Sequence, residues 1–408
     1  MIPADTPPQS PRGGAETPPD ERRARMTWSL VAEPQDALAL LARARLGPSA
    51  ALELALDGSA RELLARLGDQ LPGDPAEPGP SAPLARAERA LARWRGRLAG
   101  LDLDAVLEDA DRRRLRVIIP GDPEWPDGLD DLQETAPHCL WLLGPGRFDE
   151  LAGPRTVALV GSRASTPYGE DTAGSFAAEL ASRHCPVISG GAYGIDAAAH
   201  RGALAARDGD TLAVLAGGLD RLYPRGNTEL LERIAREHLL VSEAPPGTAP
   251  TRWRFLSRNR LIAALARAVV VVEASWRSGA LSTARHADEL SRPVGAVPGP
   301  VTSAASAGCH RLVRERGAVL VTEPAEVVDL LPGGDAAGEG RHAQQDELDL
   351  LSPADRRVLD AVPPRSSRPL PLLADDIGFE ERELRAALAR LELLGLVAVQ
   401  GDRARRPR

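Results

Sequence analysis

The chain of 408 residues contains no lysine; all fifty of its basic residues are arginine. That absence excludes a lysine Schiff base, a lysine general base and the phosphate-gripping lysine of a Walker-type loop. Aromatics make up only 3% of a chain that is 43% hydrophobic, so its core must be built mainly from Ala, Leu and Val. Cysteine is scarce as well. Cys139, Cys185 and Cys309 are widely separated and match no zinc spacing, and so sparse and odd a set suits a reducing cytosol better than a disulfide framework. No apolar run approaches the ~18 residues of a membrane span. The opening MIPADTPPQSPRGGAETPPDERRAR lacks the apolar region of a signal peptide. Together these features predict a cytoplasmic protein that needs no metal and no cofactor.

The length allows two or three domains. Residues 1–26 are rich in Pro and charge and are expected to form a disordered tail. Residues 27–115 read as helical, with Leu and Ala at three- and four-residue spacing in DALALLARARLG and SARELLARLG. A Pro-rich insert at 71–84 interrupts them. The segments VIIPGDPEWPDGLDDL and APHCLWLLGPG read as an irregular approach to a larger domain at 116–332. There the likeness to helices gives way to short β-branched runs: TVALVG, PVIS, TLAVLA, LLVS, AVVVVEA, PVGAV and AVLV. Amphipathic segments such as GEDTAGSFAAELASR and ALSTARHADELS separate them. Continuous apolar strands alternating with helices predict an α/β domain, a doubly wound and mostly parallel sheet covered on both faces. Residues 333–350 are polar and Gly-rich, a linker by composition. Residues 351–408 read as three helices and a short hairpin, the plan of a winged helix.

Ligands of open α/β sheets sit outside the carboxyl ends of the strands. The first parallel strand ends in Gly161-Ser162-Arg163, where free backbone N–H groups, a helix N-terminus and a fixed charge would attract an anion. Taken alone, a GSR turn serves the backbone more often than a ligand. The second ends in Ser189-Gly190-Gly191-Ala192-Tyr193-Gly194-Ile195-Asp196, whose glycines permit close approach of a ligand. Asp196 reads best as the N-cap of the next helix, hydrogen-bonded to His200 one turn on. Glu273, at the end of another strand, reads better as an acceptor for loop N–H groups than as a general base. Ser278-Gly279 opens the helix after it.

The densest positive charge is RWRFLSRNR, residues 252 to 260: four arginines and two aromatic rings with no acid, in a chain of net charge −8. A basic track for phosphates interleaved with aromatic faces for bases is how single strands are held without sequence readout. Arg252, Arg254, Arg258 and Arg260 supply the first element; Phe255, with Trp253, supplies the second. In the competing reading Arg258 and Arg260 pair with Glu243 or Glu273 and pin the segment to the sheet; one arginine is expected to be structural.

VALVGSR, SGGAYGIDAAAH, GGLDRLYP, FLSRNRLIA, VVVVEASWRSGAL and AVPG, in that order between Val157 and Gly308, resemble the DprA/Smf family of DNA-processing proteins. The resemblance implies a helical N-terminal domain, a Rossmann-like centre and a small winged-helix-like C-terminal domain. It implies binding of single-stranded DNA, loading of the RecA recombinase, a role in DNA uptake (transformation) and homologous recombination, a homodimer, and no enzymatic activity. By motif position it implies a DNA site made of Gly161, Ser162, Arg163, Ser189, Gly190, Tyr193, Arg252, Phe255, Arg258, Asn259, Arg260, Ser278 and Gly279. Many relatives carry Lys or Arg where this chain has Tyr193, which can stack or donate a hydrogen bond but cannot neutralise a phosphate. The alternative is a nucleotide-binding or nucleoside-monophosphate-cleaving Rossmann-like enzyme, although the chain has no PGGxGTxxE-like loop. The missing G-x-G-x-x-G fingerprint disfavours a nicotinamide oxidoreductase.

Overall fold

The protein is described by a computed structural model, which covers residues 19–68, 82–333, 351–363 and 366–406. The expected tail up to residue 18, most of the Pro-rich insert and the linker from residue 334 lie outside the described residues. The chain divides into two compact units at Gly334/Asp335.

The helical region starts earlier than its composition suggests. Helix α1 (Pro19–Val31) takes in residues 19–26, which were expected to be disordered. Tertiary contacts decide this: Ala24 and Met26 are buried, Trp28 is fully enclosed, and Arg22 donates to both Asp122 oxygens at 2.8 Å and to the Val117 carbonyl at 2.6 Å. Helices α2 (Ala37–Leu46), α3 (Pro48–Asp57), α4 (Ala60–Leu67) and α5 (Ala82–Leu98) follow. Residues 82–84 of the expected insert are thus helical. Asp36 and Ser59 cap α2 and α4 by accepting from Ala39 N and Glu62 N. The helices close on a small core in which Trp28 and Trp94 meet edge to face at 5.1 Å.

After α6 (Leu103–Arg112) the chain builds one nine-stranded sheet. Its strands are β1 (Leu115–Ile118), β2 (Leu140–Leu143), β3 (Val157–Gly161), β4 (Val187–Ser189), β5 (Thr211–Leu215), β6 (Leu239–Ser242), β7 (Ala268–Glu273), β8 (Val294–Ala296) and β9 (Val319–Leu320). The last seven are the strands expected from the apolar runs. The order is β1-β2-β6-β5-β4-β3-β7-β8-β9; β3 to β9 run parallel, while β2 is antiparallel to both β6 and β1. The supposedly irregular approach segment therefore contributes two strands to one edge of the sheet. Pro and Gly punctuate the loops around β1 and β2, and the strands themselves are fully regular. The chain winds outward in both directions from β3, so the topology reverses between β3 and β7, and a crevice opens beyond their carboxyl ends. β7 is buried along its whole length, as its sequence AVVVVE requires of a strand covered on both faces. The short α7 (Phe148–Leu151) precedes β3, and α10 (Thr228–Glu237) precedes β6. Helices α8 (Pro167–Ser182) and α9 (Ile195–Ala205) cover one face and touch through Gly174 and Gly202; a Cβ at Gly202 would collide with the Gly174 carbonyl.

In the second unit, the described residues form helices Pro353–Ala361, Leu370–Ile377 and Glu381–Leu393. Strands Arg368–Pro369, Arg403–Arg405 and Ala398–Gln400 pair antiparallel in that order. The expected hairpin is present, and a short strand before the second helix joins it. Arg390 holds Asp355 at 2.7 Å; its hydrogen bond keeps the carboxyl below the usual carboxylate range.

Two buried histidines give the first unit a pH dependence. His200 lies between α9 and β5, and Thr211 Oγ1, which donates to the Val187 carbonyl, accepts from its Nδ1 at 2.8 Å. The ring is the neutral Nδ1–H tautomer, and burial lowers its pKa to about 3. His138 stacks on Trp28 at 5.8 Å with neither ring nitrogen bonded to protein, and burial beside Arg43 holds it well below 6.5. Both folded-state values lie below the unfolded one, so the stability they support is complete above about pH 6.5 and is lost as the pH falls below it. Each histidine then removes up to about 1.4 kcal/mol per pH unit. Urea unfolding at several pH values should show that His200→Asn reduces this slope by one proton; an unchanged slope would mean that His200 titrates in the folded state.

Candidate nucleic-acid interface

RWRFLSRNR is helix, not loop. It forms the first turns of α11 (Arg252–Leu265), which Thr251 caps by accepting from Arg254 N at 3.3 Å. Helical periodicity divides its side chains among different surroundings. Arg252, Phe255 and Asn259 face the crevice between β3 and β7. Arg254, on another face, forms a bidentate ion pair with Glu33 at 2.9–3.0 Å, and Arg97 closes on the same carboxylate at 2.6 Å. Burial raises the pKa of Glu33, but the hydrogen bonds from Arg97 and Arg254 outweigh it and keep the carboxyl below its ordinary range.

Arg260 is 1% exposed; it pairs in two-point geometry with Glu243 at 2.8 Å and donates to the carbonyls of Thr135 and Ser257. Arg258 is buried too, donating to the carbonyls of Gly190 at 2.9 Å and Val214. Burial lowers its guanidinium to about 10, with Asp196 pulling the other way. Three of the four arginines of the stretch are thus structural, where one was expected. Only Arg252 reaches solvent without an ion pair among the described residues.

The crevice has a volume of about 680 Å³. Its walls are the loop after β3, the start of α11, and the segment from Ser275 into α12 (Ala280–Glu289). Gly161, Ser162, Arg163, Arg252, Phe255, Arg258, Asn259, Ser278 and Gly279 all line it. The guanidinium carbon of Arg163 lies 4.1 Å from the centroid of the Phe255 ring, and Tyr223 meets that ring at 6.0 Å from the side. Arg163 is exposed, and Phe255, half-buried, supports it from below. Asn259 donates to the Gly279 carbonyl at 3.3 Å, joining α11 to the mouth of α12. A Cβ at Gly279 would meet nothing within 4 Å, so the backbone there is open to the crevice.

Ser189, Gly190, Tyr193 and Arg260 lie off the crevice. The Ser189 hydroxyl is fully buried and donates to the Leu159 carbonyl at 2.6 Å. A Cβ at Gly190 would collide with the Arg258 guanidinium, so this glycine makes room for an internal side chain rather than for a ligand. Gly194 has φ of 75° and packs on the Ser162 carbonyl. Tyr193 leans on the turn at Gly226, whose N–H donates to its hydroxyl at 3.1 Å.

Two further expectations change. Gly194, not Asp196, occupies the N-cap position of α9. Asp196 reaches back to accept from Gly190 N and Ala192 N at 3.2 and 3.4 Å, and its carboxyl is raised by burial despite the neighbouring Arg258. The N-terminus of α8, expected to be free for an anion, already holds one: the Glu273 carboxylate accepts from Thr166 N at 2.9 Å and Thr166 Oγ1 at 2.6 Å. Glu273 therefore does fix the loop, as one reading of the sequence required.

Sequence reasoning missed Arg277. It lines the crevice, is exposed, and has no ion pair among the described residues. The signal was its position in SWRSG, within a strand-end loop already singled out. Among the described residues, Arg163, Arg252 and Arg277 give the crevice three cations without an ion pair, and its only acidic lining residue is the buried Asp196.

The family model described as DNA recombination-mediator protein A matches residues 116–332. A putative DNA processing protein DprA of Mycobacterium tuberculosis is 47% identical over 318 residues, covering 74% of this chain and 81% of the relative. The chain belongs to the DprA/Smf family of DNA-processing proteins. Protein Smf of Escherichia coli is 38% identical over 250 residues, 59% of this chain and 65% of the relative. The X-ray structure of DNA processing protein A from Streptococcus pneumoniae superposes with a TM-score of 0.58 at 29% identity, covering 77% of this chain and 98% of that one. Family membership agrees with the ordered motifs and with the doubly wound sheet that carries them.

The division between inner and outer arginines is measurable in stability. Arg260→Ala strands Glu243 in the interior and should cost about 3–5 kcal/mol in urea unfolding. Arg163→Gln, at an exposed site, should stay within about 0.5 kcal/mol of the parent. Equal losses would show that the two guanidinium groups are not divided as described.

Proposed function

We propose that the crevice holds the backbone of single-stranded DNA and that the protein delivers the strand to the RecA recombinase during homologous recombination and DNA uptake. The observation that carries this reading is the Arg163–Phe255 stack at the mouth of a crevice whose other free charges are Arg252 and Arg277. A guanidinium held over a ring offers a phosphate two donors and offers a base a planar surface. Because Arg163 covers one face of Phe255, a base meets Arg163 first, or takes its place when the side chain swings out to a phosphate. The N-terminus of α12, where Ser278 Oγ accepts from Ala280 N at 3.4 Å, adds the positive end of its helix dipole on the opposite wall.

In this reading the protein is a binding protein acting in the cytoplasm, with Gly161, Ser162, Ser278, Gly279 and Asn259 shaping the crevice around the strand. It works as a homodimer, so that several strand sites are presented to one recombinase filament. The C-terminal unit is a winged-helix-like module for docking protein, since its third helix balances acids against bases. A nucleotide-cleaving enzyme would need a free carboxylate in the crevice. The Asp196 carboxylate is instead engaged by backbone N–H groups.

Fluorescence anisotropy should show oligo(dT) binding well ahead of duplex of the same length, with log K falling against log salt at a slope of roughly −2 for three neutralised phosphates. Arg163→Gln should reduce that slope by about 0.7. Phe255→Ala should weaken binding by about 1–3 kcal/mol with little change of slope. Duplex bound as tightly as single strand would overturn the assignment.

A further inference from the structure

The first turn of α11 carries two of the crevice residues, Arg252 and Phe255, and the core does little to hold it. Residues 251–256 are exposed or half-buried, and continuous burial starts only at Ser257. A helix end without buried side chains frays, because its first N–H groups lack partners inside the helix. Two side chains act against that in α11. Thr251 caps the turn, and Arg254 reaches out of it in two directions. Its Nη1 donates to the Ala249 carbonyl at 2.6 Å, which fixes the approach to the helix; its Nε and Nη2 hold the Glu33 carboxylate in two-point geometry. Pro250 and Thr251, between these contacts, line the crevice.

Glu33 is brought to this place by the N-terminal helices. It lies in the tight turn between α1 and α2, which Asp36 N closes by donating to the Glu33 carbonyl at 2.9 Å, with Gln35 in the left-handed region at φ of 63°. α5 grips the turn from behind. Arg97 donates to the Val31 carbonyl at 3.0 Å as well as to Glu33, and Trp94 Nε1 donates to the Asp36 carboxylate at 3.1 Å. The Glu33 carboxylate is thus held in place independently of Arg254. A two-point pair with one partner preset is the kind of surface ion pair that fixes geometry.

The sign of the charge is the informative part. If the stretch served only to gather positive charge, an acid on Arg254 would work against it, since a carboxylate repels phosphate. We propose that Glu33 is a positioning residue for the strand: through it the N-terminal helices hold the first turn of α11 and set Arg252 and Phe255 opposite Arg163. The inference rests on the crevice holding single-stranded DNA. It gives the helical N-terminal region a part in binding, although Glu33 itself lies outside the crevice.

Anisotropy with oligo(dT) separates positioning from charge, because the two predict opposite signs. Glu33→Gln removes an acid, so charge alone would tighten binding. As a loss of positioning it should weaken binding about five-fold or more, the low end of what one stacked base contributes. The same substitution should have no further effect in an Arg254→Gln background, where the tie is already cut. In a Phe255→Ala background its effect should fall to about two-fold or less, because the ring it positions is gone. Unchanged or tighter binding by Glu33→Gln would overturn the proposal and leave the crevice reading intact. A loss of undiminished size in either background would mean that Glu33 acts on the protein as a whole, and would overturn it too. Failure of the parent protein to bind oligo(dT) would remove the crevice reading, and the positioning role with it.

Discussion

The crevice depends on one buried guanidinium. Arg258 sits under Phe255, 6.0 Å from its ring, and ties α11 to the carbonyls at the ends of β4 and β5. A charge in that position costs desolvation, which the carbonyl acceptors and the nearby Asp196 carboxylate offset. Arg260–Glu243 and Arg254–Glu33 add two further ties, one to the sheet side and one to the N-terminal helices. With α11 fixed on three sides, Arg252 and Phe255 have a defined place opposite the loop that carries Arg163. A stretch that reads as a basic patch is thus mostly a set of internal struts that aim two side chains outward.

Much of this was legible. The seven parallel strands were readable because each is a short β-branched run bounded by turn residues, and the crevice does open at the carboxyl ends singled out in the sequence. The rest was hidden for particular physical reasons. β1 and β2 were obscured by the prolines and glycines of their flanking loops. The helical state of residues 252–265 was missed because polar and apolar residues alternate there without one apolar face: both faces of α11 are buried after Ser257. Without the helix, the arginines looked like a linear track. At about 100° per residue they point in different directions, and only the partners supplied by distant segments, Glu33, Glu243 and the strand-end carbonyls, decide which of them remain free. No spacing rule in a single sequence reveals those partners.

The glycines teach the same lesson. A Gly-rich strand end is normally read as a cradle for a ligand's phosphates, and part of this one is not. Gly190 accommodates Arg258, Gly194 accommodates the loop after β3, and Gly169 accommodates the Glu273 carboxylate at the start of α8. These contacts bring the three loops together, and the open backbone at Gly279 is the exception. In the proposed reading, anions are met by exposed guanidinium groups rather than by bare N–H groups, a solution open to a chain whose basic residues are all arginine.

The contact between Gly190 and Arg258 also constrains how the sequence can change over time. No side chain larger than hydrogen fits at one position while the guanidinium occupies the other, and neither can drift alone without leaving a void or a clash. Positions 190 and 258, far apart in the chain, are therefore coupled in one direction: the arginine in its buried place requires the glycine, whereas removing the arginine would free position 190 for a side chain.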